Sequence, residues 1–124
     1  MAVMPNTPAR GVSHVAPIES DLSWAELAAI PETYATAWTC LFRNLEIARS
    51  QTLVDPGGGP SFGRAAITMA ANAGLHVIAT VRSSDNFAVL KELGAERVEV
   101  ERPDLSKHIA EAERLDAVLD LVGQ

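Results

Sequence analysis

From residue 51 onward the chain alternates between two hydrophobic rhythms. Short apolar runs rich in valine, leucine and isoleucine are separated by longer stretches in which apolar residues recur every three or four positions. The first rhythm is that of strands covered on both faces, the second that of amphipathic helices lying over them. The pattern predicts a short strand at 52–54 and an alanine-rich helix at 61–73 with Gly74 in the C′ position. A second strand follows at 76–81, then a helix at 85–93 with Ser84 as N-cap and Gly94 as stop. Residues 97–100 form a weaker third strand. Asp104 or Ser106 opens a charged helix to 114, and DAVLDLV at 116–122 is the fourth strand.

Before residue 51 the pattern is helical only. Ser23 and Glu26 have the spacing of a capping box, so a short helix starts at Trp24 and stops near Pro31. A second helix at 32–45 carries Tyr34, Trp38, Leu41, Phe42 and Leu45 on one broad apolar face, expected to pack in the core. Residues 1–17 show no periodicity and contain three prolines. The predicted organisation is an N-terminal arm or linker at 1–20 and one domain at 21–124.

A strand–helix–strand rhythm requires right-handed crossovers and a parallel sheet with helices on both faces. The expected fold is therefore α/β: a partial, doubly wound, Rossmann-like sheet in the order 3-2-1-4, preceded by helices. Within it, QTLVDPGGGPSFG at 51–63 runs from a strand through glycines into a helix. Such a turn aims backbone N–H groups and the positive end of a helix dipole at one point, where a diphosphate binds.

Composition narrows the function. At 124 residues the chain can hold one small domain, not the two that most dinucleotide-dependent dehydrogenases need. A formal net charge of -6 with scattered basic residues argues against a nucleic-acid partner. Cys40 is the single cysteine and lies in an apolar run, where a buried, inert thiol is expected; a reducing cytoplasm fits. No stretch reaches membrane-spanning length, and MAVMPNTPAR lacks the apolar core of a signal peptide. No G-x-S-x-G elbow supplies a hydrolase nucleophile. His14, His76 and His108 have no spacing of a ligand set, and structural roles are expected for them.

Five segments together resemble the medium-chain dehydrogenase/reductase family, in particular its quinone-oxidoreductase-like and zinc-type alcohol dehydrogenase-like members. They are AAIPETYATAWTCLF at 28–42, GGGPSFGRAA at 57–66, VIATVRS at 77–83, LKELGAERV at 90–98 and LDAVLDLVG at 115–123. The resemblance implies the nicotinamide-cofactor domain of an NADPH-dependent quinone or enone reductase, with the family's β-rich catalytic domain absent and activity weak or missing. The alternative is a non-catalytic Rossmann-like binding or interaction module.

The family's small-x-small-x-x-Gly loop falls on Gly58, Pro60 and Gly63. Gly58 and Gly63 fit, whereas Pro60 brings a ring where the pyrophosphate should approach. Asp55 is a second departure, because a carboxylate at the strand end repels a diphosphate. Gly59, Ser61, Phe62 and Gly63 remain as N–H donors, and weak binding is expected. Between Thr80 and Ser84 there is no acid to grip the ribose diol of NAD; Arg82 and Ser83 instead point to the 2′-phosphate of NADPH. Thr36 matches the family's threonine that faces the nicotinamide. The family's zinc-ligand cysteine is Glu32 here, so no metal is expected. No catalytic residue is assigned. The far edge of the fourth strand is expected to pair with another copy of the chain.

Overall fold

In the computed structural model, residues 15–56, 61–110 and 112–120 are described. Thr52–Asp55 (β1), His76–Val81 (β2), Arg97–Val100 (β3) and Ala117–Val118 (β4) form one parallel sheet in the order β3-β2-β1-β4. Leu53 is the register point at its centre, opposite Val77 on one side and Ala117 on the other. The predicted topology is the observed one. Antiparallel pairing is excluded by every ladder.

Alternation along the strands divides the core. Leu53, Val77, Ala79 and Val81 face the larger cluster, which includes Ala65, Ala66, Ile67 and Ala70 of Ser61–Asn72 (α3) and Leu90 of Phe87–Glu92 (α4). Val54 and Ile78 face the other way, onto Ile109 with the partly buried Leu105, Ala112 and Leu115. The alanines of α3 let that helix lie close on the sheet, and its outer side carries Trp24–Ala29 (α1) and Pro31–Trp38 (α2).

Both predicted glycine stops are present with their geometry. At the end of α3, Leu75 N–H donates to Ala70 C=O (3.1 Å) and Gly74 N–H to Ala71 C=O (3.0 Å). At the end of α4, Ala95 N–H donates to Leu90 C=O (3.0 Å) and Gly94 N–H to Lys91 C=O (3.1 Å). These are paired Schellman bonds, and they require the positive φ of 84° at Gly74 and 117° at Gly94. The capping box is also present, with the Ser23 hydroxyl accepting from Glu26 N–H and the Glu26 carboxylate accepting from Ser23 N–H. The Ser23 hydroxyl also donates to the Glu26 carboxylate (2.7 Å), and this bond, with that from Ser23 N–H, holds the Glu26 carboxyl below its ordinary value.

Five local expectations are corrected. The helix expected at 32–45 is α-helical only to Trp38 and continues as a π-helix over Thr39–Asn44, where Leu45 N–H reaches Cys40 C=O (3.0 Å). Thr39 Oγ1 bonds back to Ala35 C=O at the switch, a contact that loosens the α-helical ladder. The broad aromatic face is not core: Tyr34, Trp38 and Leu45 are exposed, Phe42 and Cys40 are half-buried, and Ala37 and Leu41 are the buried residues. A small residue, Ala37, marks the buried line of α2.

The cap of the fourth helical segment is Ser83, one residue before the predicted Ser84. Ser83 is extended and accepts from Asp85 N–H, and a 3₁₀ turn at Ser84–Asn86 precedes α4. The charged helix predicted at 104–114 is replaced by 3₁₀ turns at Leu105–Lys107 and Ala112–Arg114. Arg97 Nη2 donates to His108 C=O, which draws that carbonyl toward the sheet edge and away from a helical ladder. β4 is two residues long where 116–122 was expected; residues 121–124 lie outside the described residues. So do residues 1–14 of the predicted arm, His14 among them.

Candidate functional site

Strand order moves outward from β1 through β2 to β3 and then returns to the opposite side of β1 with β4. The reversal falls at the C-terminal ends of β1 and β4, the place where open α/β sheets receive ligands. Three pieces of chain border that place: the end of β1, the first turn of α3 and the end of β2.

The first turn of α3 supplies Ser61, Phe62 and Gly63. The first N–H groups of an α-helix have no intrahelical acceptor and carry the positive end of its dipole. Gly63 is buried, and Phe62 is half-buried against the main cluster and anchors this end of the helix. Gly58 and Gly59, the other predicted donors, and Pro60 lie outside the described residues.

At the end of β2, Arg82 is exposed and has no hydrogen-bond or ion-pair partner among the described residues, so its guanidinium is available. Ser83 differs. Its hydroxyl donates to Asp85 Oδ2 at 2.7 Å and accepts from Asp85 N–H at 3.4 Å. The end of β2 is thus not free of acid. The sequence reading stopped one residue short of Asp85, and its signal was the S-S-D run that makes a local cap.

Arg64 is a residue the sequence reading missed. Its Nη2 reaches Asn86 Oδ1 at 3.5 Å, joining α3 to the β2–α4 connection, and its Nε is buried without a partner. With Thr33, Tyr34, Ser61 and Thr68 it lines a cleft of about 330 Å³ between α2, α3 and α4. None of the lining residues comes from the sheet. Thr36 is exposed on α2 and is not among them.

Asp55 ends β1. It is 0% exposed, and neither carboxylate oxygen has a hydrogen-bond partner among the described residues. Burial alone raises its carboxyl from the ordinary 3.8 to about 7. Thr80, the other buried polar residue among those described, is satisfied by donating to Glu101 Oε1 at 3.3 Å.

A parallel sheet with this strand order, a helix starting just past its central strand and an available arginine on the adjoining strand define a Rossmann-like nucleotide-binding domain. The zinc-binding dehydrogenase family profile matches residues 62–124. The chain belongs to that family, among the medium-chain dehydrogenases/reductases that its five segments resemble.

Three relatives illustrate the likeness. The quinone oxidoreductase of Coxiella burnetii is 32% identical, with a TM-score of 0.71 over 83% of this chain and 32% of its own. The CurK enoyl reductase is 26% identical, with a TM-score of 0.76 over 90% of this chain and 34% of its own. The highly reducing polyketide synthase cla2 of Cladosporium cladosporioides is 35% identical over 78 residues, 63% of this chain. The chain spans about a third of the solved relatives and 3% of that synthase.

The family's description names zinc. Among the described residues no three His, Cys, Asp or Glu side chains gather in a way that could hold a metal ion. His76 Nδ1 is paired with Glu96 Oε1 (2.8 Å) and His108 Nε2 with Asp104 Oδ2 (3.2 Å). These residues do not fit a zinc site. A dinucleotide fits better: donors at the start of α3, a guanidinium just past β2 with no partner among the described residues, and Asp55 as the single element that opposes a diphosphate.

Proposed function

We propose that this chain binds a nicotinamide dinucleotide, NADPH, as the cofactor domain of a reductase acting on quinones or enones, the enone class including enoyl thioesters. The observation that carries the reading is the 3-2-1-4 parallel sheet whose reversal lies beside the start of α3, with Arg82 at the next strand end unpartnered among the described residues. When bound, the cofactor supplies the hydride. The chain's own part is to hold it: N–H groups of Ser61, Phe62 and Gly63, with those of Gly58 and Gly59, on the diphosphate, and Arg82 on the 2′-phosphate. Ser83 caps the 3₁₀ turn that follows Arg82, and Thr36 is assigned to the nicotinamide side. The enoyl reductase relative favours an enoyl substrate within this class. The domain assignment stays as read: 1–20 as an arm or linker and 21–124 as the cofactor domain, working in the cytoplasm.

Arg82→Ala tests the phosphate contact. A charge-assisted bond to phosphate is worth about 1.5–3 kcal/mol, so the variant should bind NADPH at least about tenfold more weakly. Its affinity for NADH should not change. Fluorescence titration of both forms with both cofactors checks this, and an equal loss for NADH would remove Arg82 from the 2′-phosphate. Asp85 works against the phosphate, so Asp85→Asn should widen the preference for NADPH.

The proposed self-association uses β4, whose Val118 is 51% exposed. A rising sedimentation coefficient with concentration is expected, and a constant monomer value at high concentration would contradict it.

A further inference from the structure

Asp55 is the sole buried ionisable side chain among the described residues, and it has no hydrogen bond. An ionised carboxylate left in that condition is strongly disfavoured. The residue occupies the last position of β1, on the strand that borders the reversal of strand order, and the chain passes from it into the connection to α3. The alternation of the strand places it on the face of Leu53, the face covered by α3.

Charged groups on the elements packed against β1 leave Asp55 unpaired. Arg64 on α3 is bonded to Asn86, and His76 at the start of β2 is paired with Glu96. Asp116 before β4 accepts from Thr52 N–H at the far end of β1 (2.8 Å), and Asp120 follows β4. Beyond β2, Glu101 is bonded by Thr80. Among the described residues no cation compensates an ionised Asp55.

We propose that Asp55 belongs to the dinucleotide site as a neutral carboxylic acid, and that binding of the dinucleotide takes up one proton from solvent. This rests on the nucleotide reading above. The reasoning is electrostatic. Diphosphate brought to the start of α3 adds negative charge beside a buried acid that already has no counter-charge, so the complex favours the protonated acid still further. The only bond that forms is the carboxyl O–H. Free chain in which Asp55 has ionised must recover that proton before it binds. Since burial holds the carboxyl at about 7 in the free chain, the coupling opens above neutral pH.

The experiment is calorimetric titration of the full chain with NADH and with NADPH at pH 6, 7, 8 and 9, each in two buffers of different ionisation enthalpy. NADH is included because it lacks the 2′-phosphate, a group that itself titrates near pH 6. Expected are an affinity that falls only about twofold from pH 6 to 7, a fall approaching tenfold per unit above that, and uptake approaching one proton per NADH at pH 8 and 9. Asp55→Asn should bind with pH-independent affinity and no uptake. The uptake is read on the parent chain, so the test stands even if the variant fails to fold. Binding of NADH with flat affinity and no proton uptake overturns the inference while leaving the nucleotide reading intact. Failure of both cofactors to bind at pH 6 overturns the nucleotide reading, and this inference with it.

Discussion

Replacing Asp55 with Asn should remove a pH dependence of stability that spans pH 4 to 7. Below the ordinary value of 3.8 the side chain is protonated in both the folded and the unfolded chain and contributes no dependence. Between 3.8 and about 7 the unfolded chain releases its proton while the folded chain keeps it. Folded stability therefore falls as pH rises, by about 1.4 kcal/mol per unit at most. Above 7 the group is ionised in both states and the cost is constant, on the order of 4 kcal/mol. That is a large share of the roughly 5–15 kcal/mol typical of a small domain. Because Asn does not titrate, the stability of Asp55→Asn relative to the parent should rise from pH 4 to pH 7 and then level off. Urea unfolding of both chains at four pH values gives the difference directly. A difference that stays constant with pH would mean that Asp55 is solvated or partnered in solution.

The second large effect is expected at Gly94. Its φ of 117° lies in a region that side chains avoid, and a Cβ placed there would collide with Ala71 Cβ on α3. Two costs therefore add in Gly94→Ala: backbone strain and overpacking between α3 and α4, each about 1–3 kcal/mol. A loss of about 3 kcal/mol is expected. Gly74→Ala makes the comparison, because there the added Cβ meets the flexible Arg49 side chain at 3.0 Å and leaves mainly the strain of a φ of 84°. Thermal denaturation should rank the two variants, with Gly94→Ala the less stable. Equal losses would show that backbone strain alone matters at both sites.

The sheet was legible because its evidence is repeated. Two glycine-stopped helices separate the first three apolar runs, and Gly74 and Gly94 fix where β2 and β3 begin. Boundaries set by single side-chain bonds were not legible in the same way. The cap at Ser83 depends on one hydroxyl reaching Asp85 N–H, and Ser84 offers the same chemistry one residue later. The turns at 105–114 depend on Arg97 reaching across to His108 C=O, a contact between distant segments that helical periodicity cannot contain.

Aromatic spacing at Tyr34, Trp38 and Phe42 correctly indicated a helix but not its buried side, which Ala37 and Leu41 define. Trp38 and Phe42 instead pair with each other, ring centroids 6.0 Å apart. In the candidate site, Arg82 and the start of α3 were readable from the strand–glycine–helix pattern. Asp55 was visible as a charge at a strand end; its complete burial, and hence its raised carboxyl, required the fold. Arg64 and Asp85 were missed because each acquires its role through a partner on a neighbouring turn or helix.

Backbone ¹H–¹⁵N NMR of the chain titrated with NADPH at pH 6 tests the central claim most directly. The account predicts saturable shifts at the amides of Ser61, Phe62 and Gly63, together with Arg82 and Ser83 at the end of β2. Shifts confined to the cleft residues Thr33, Tyr34 and Val89, or no shifts at saturating NADPH, would contradict it.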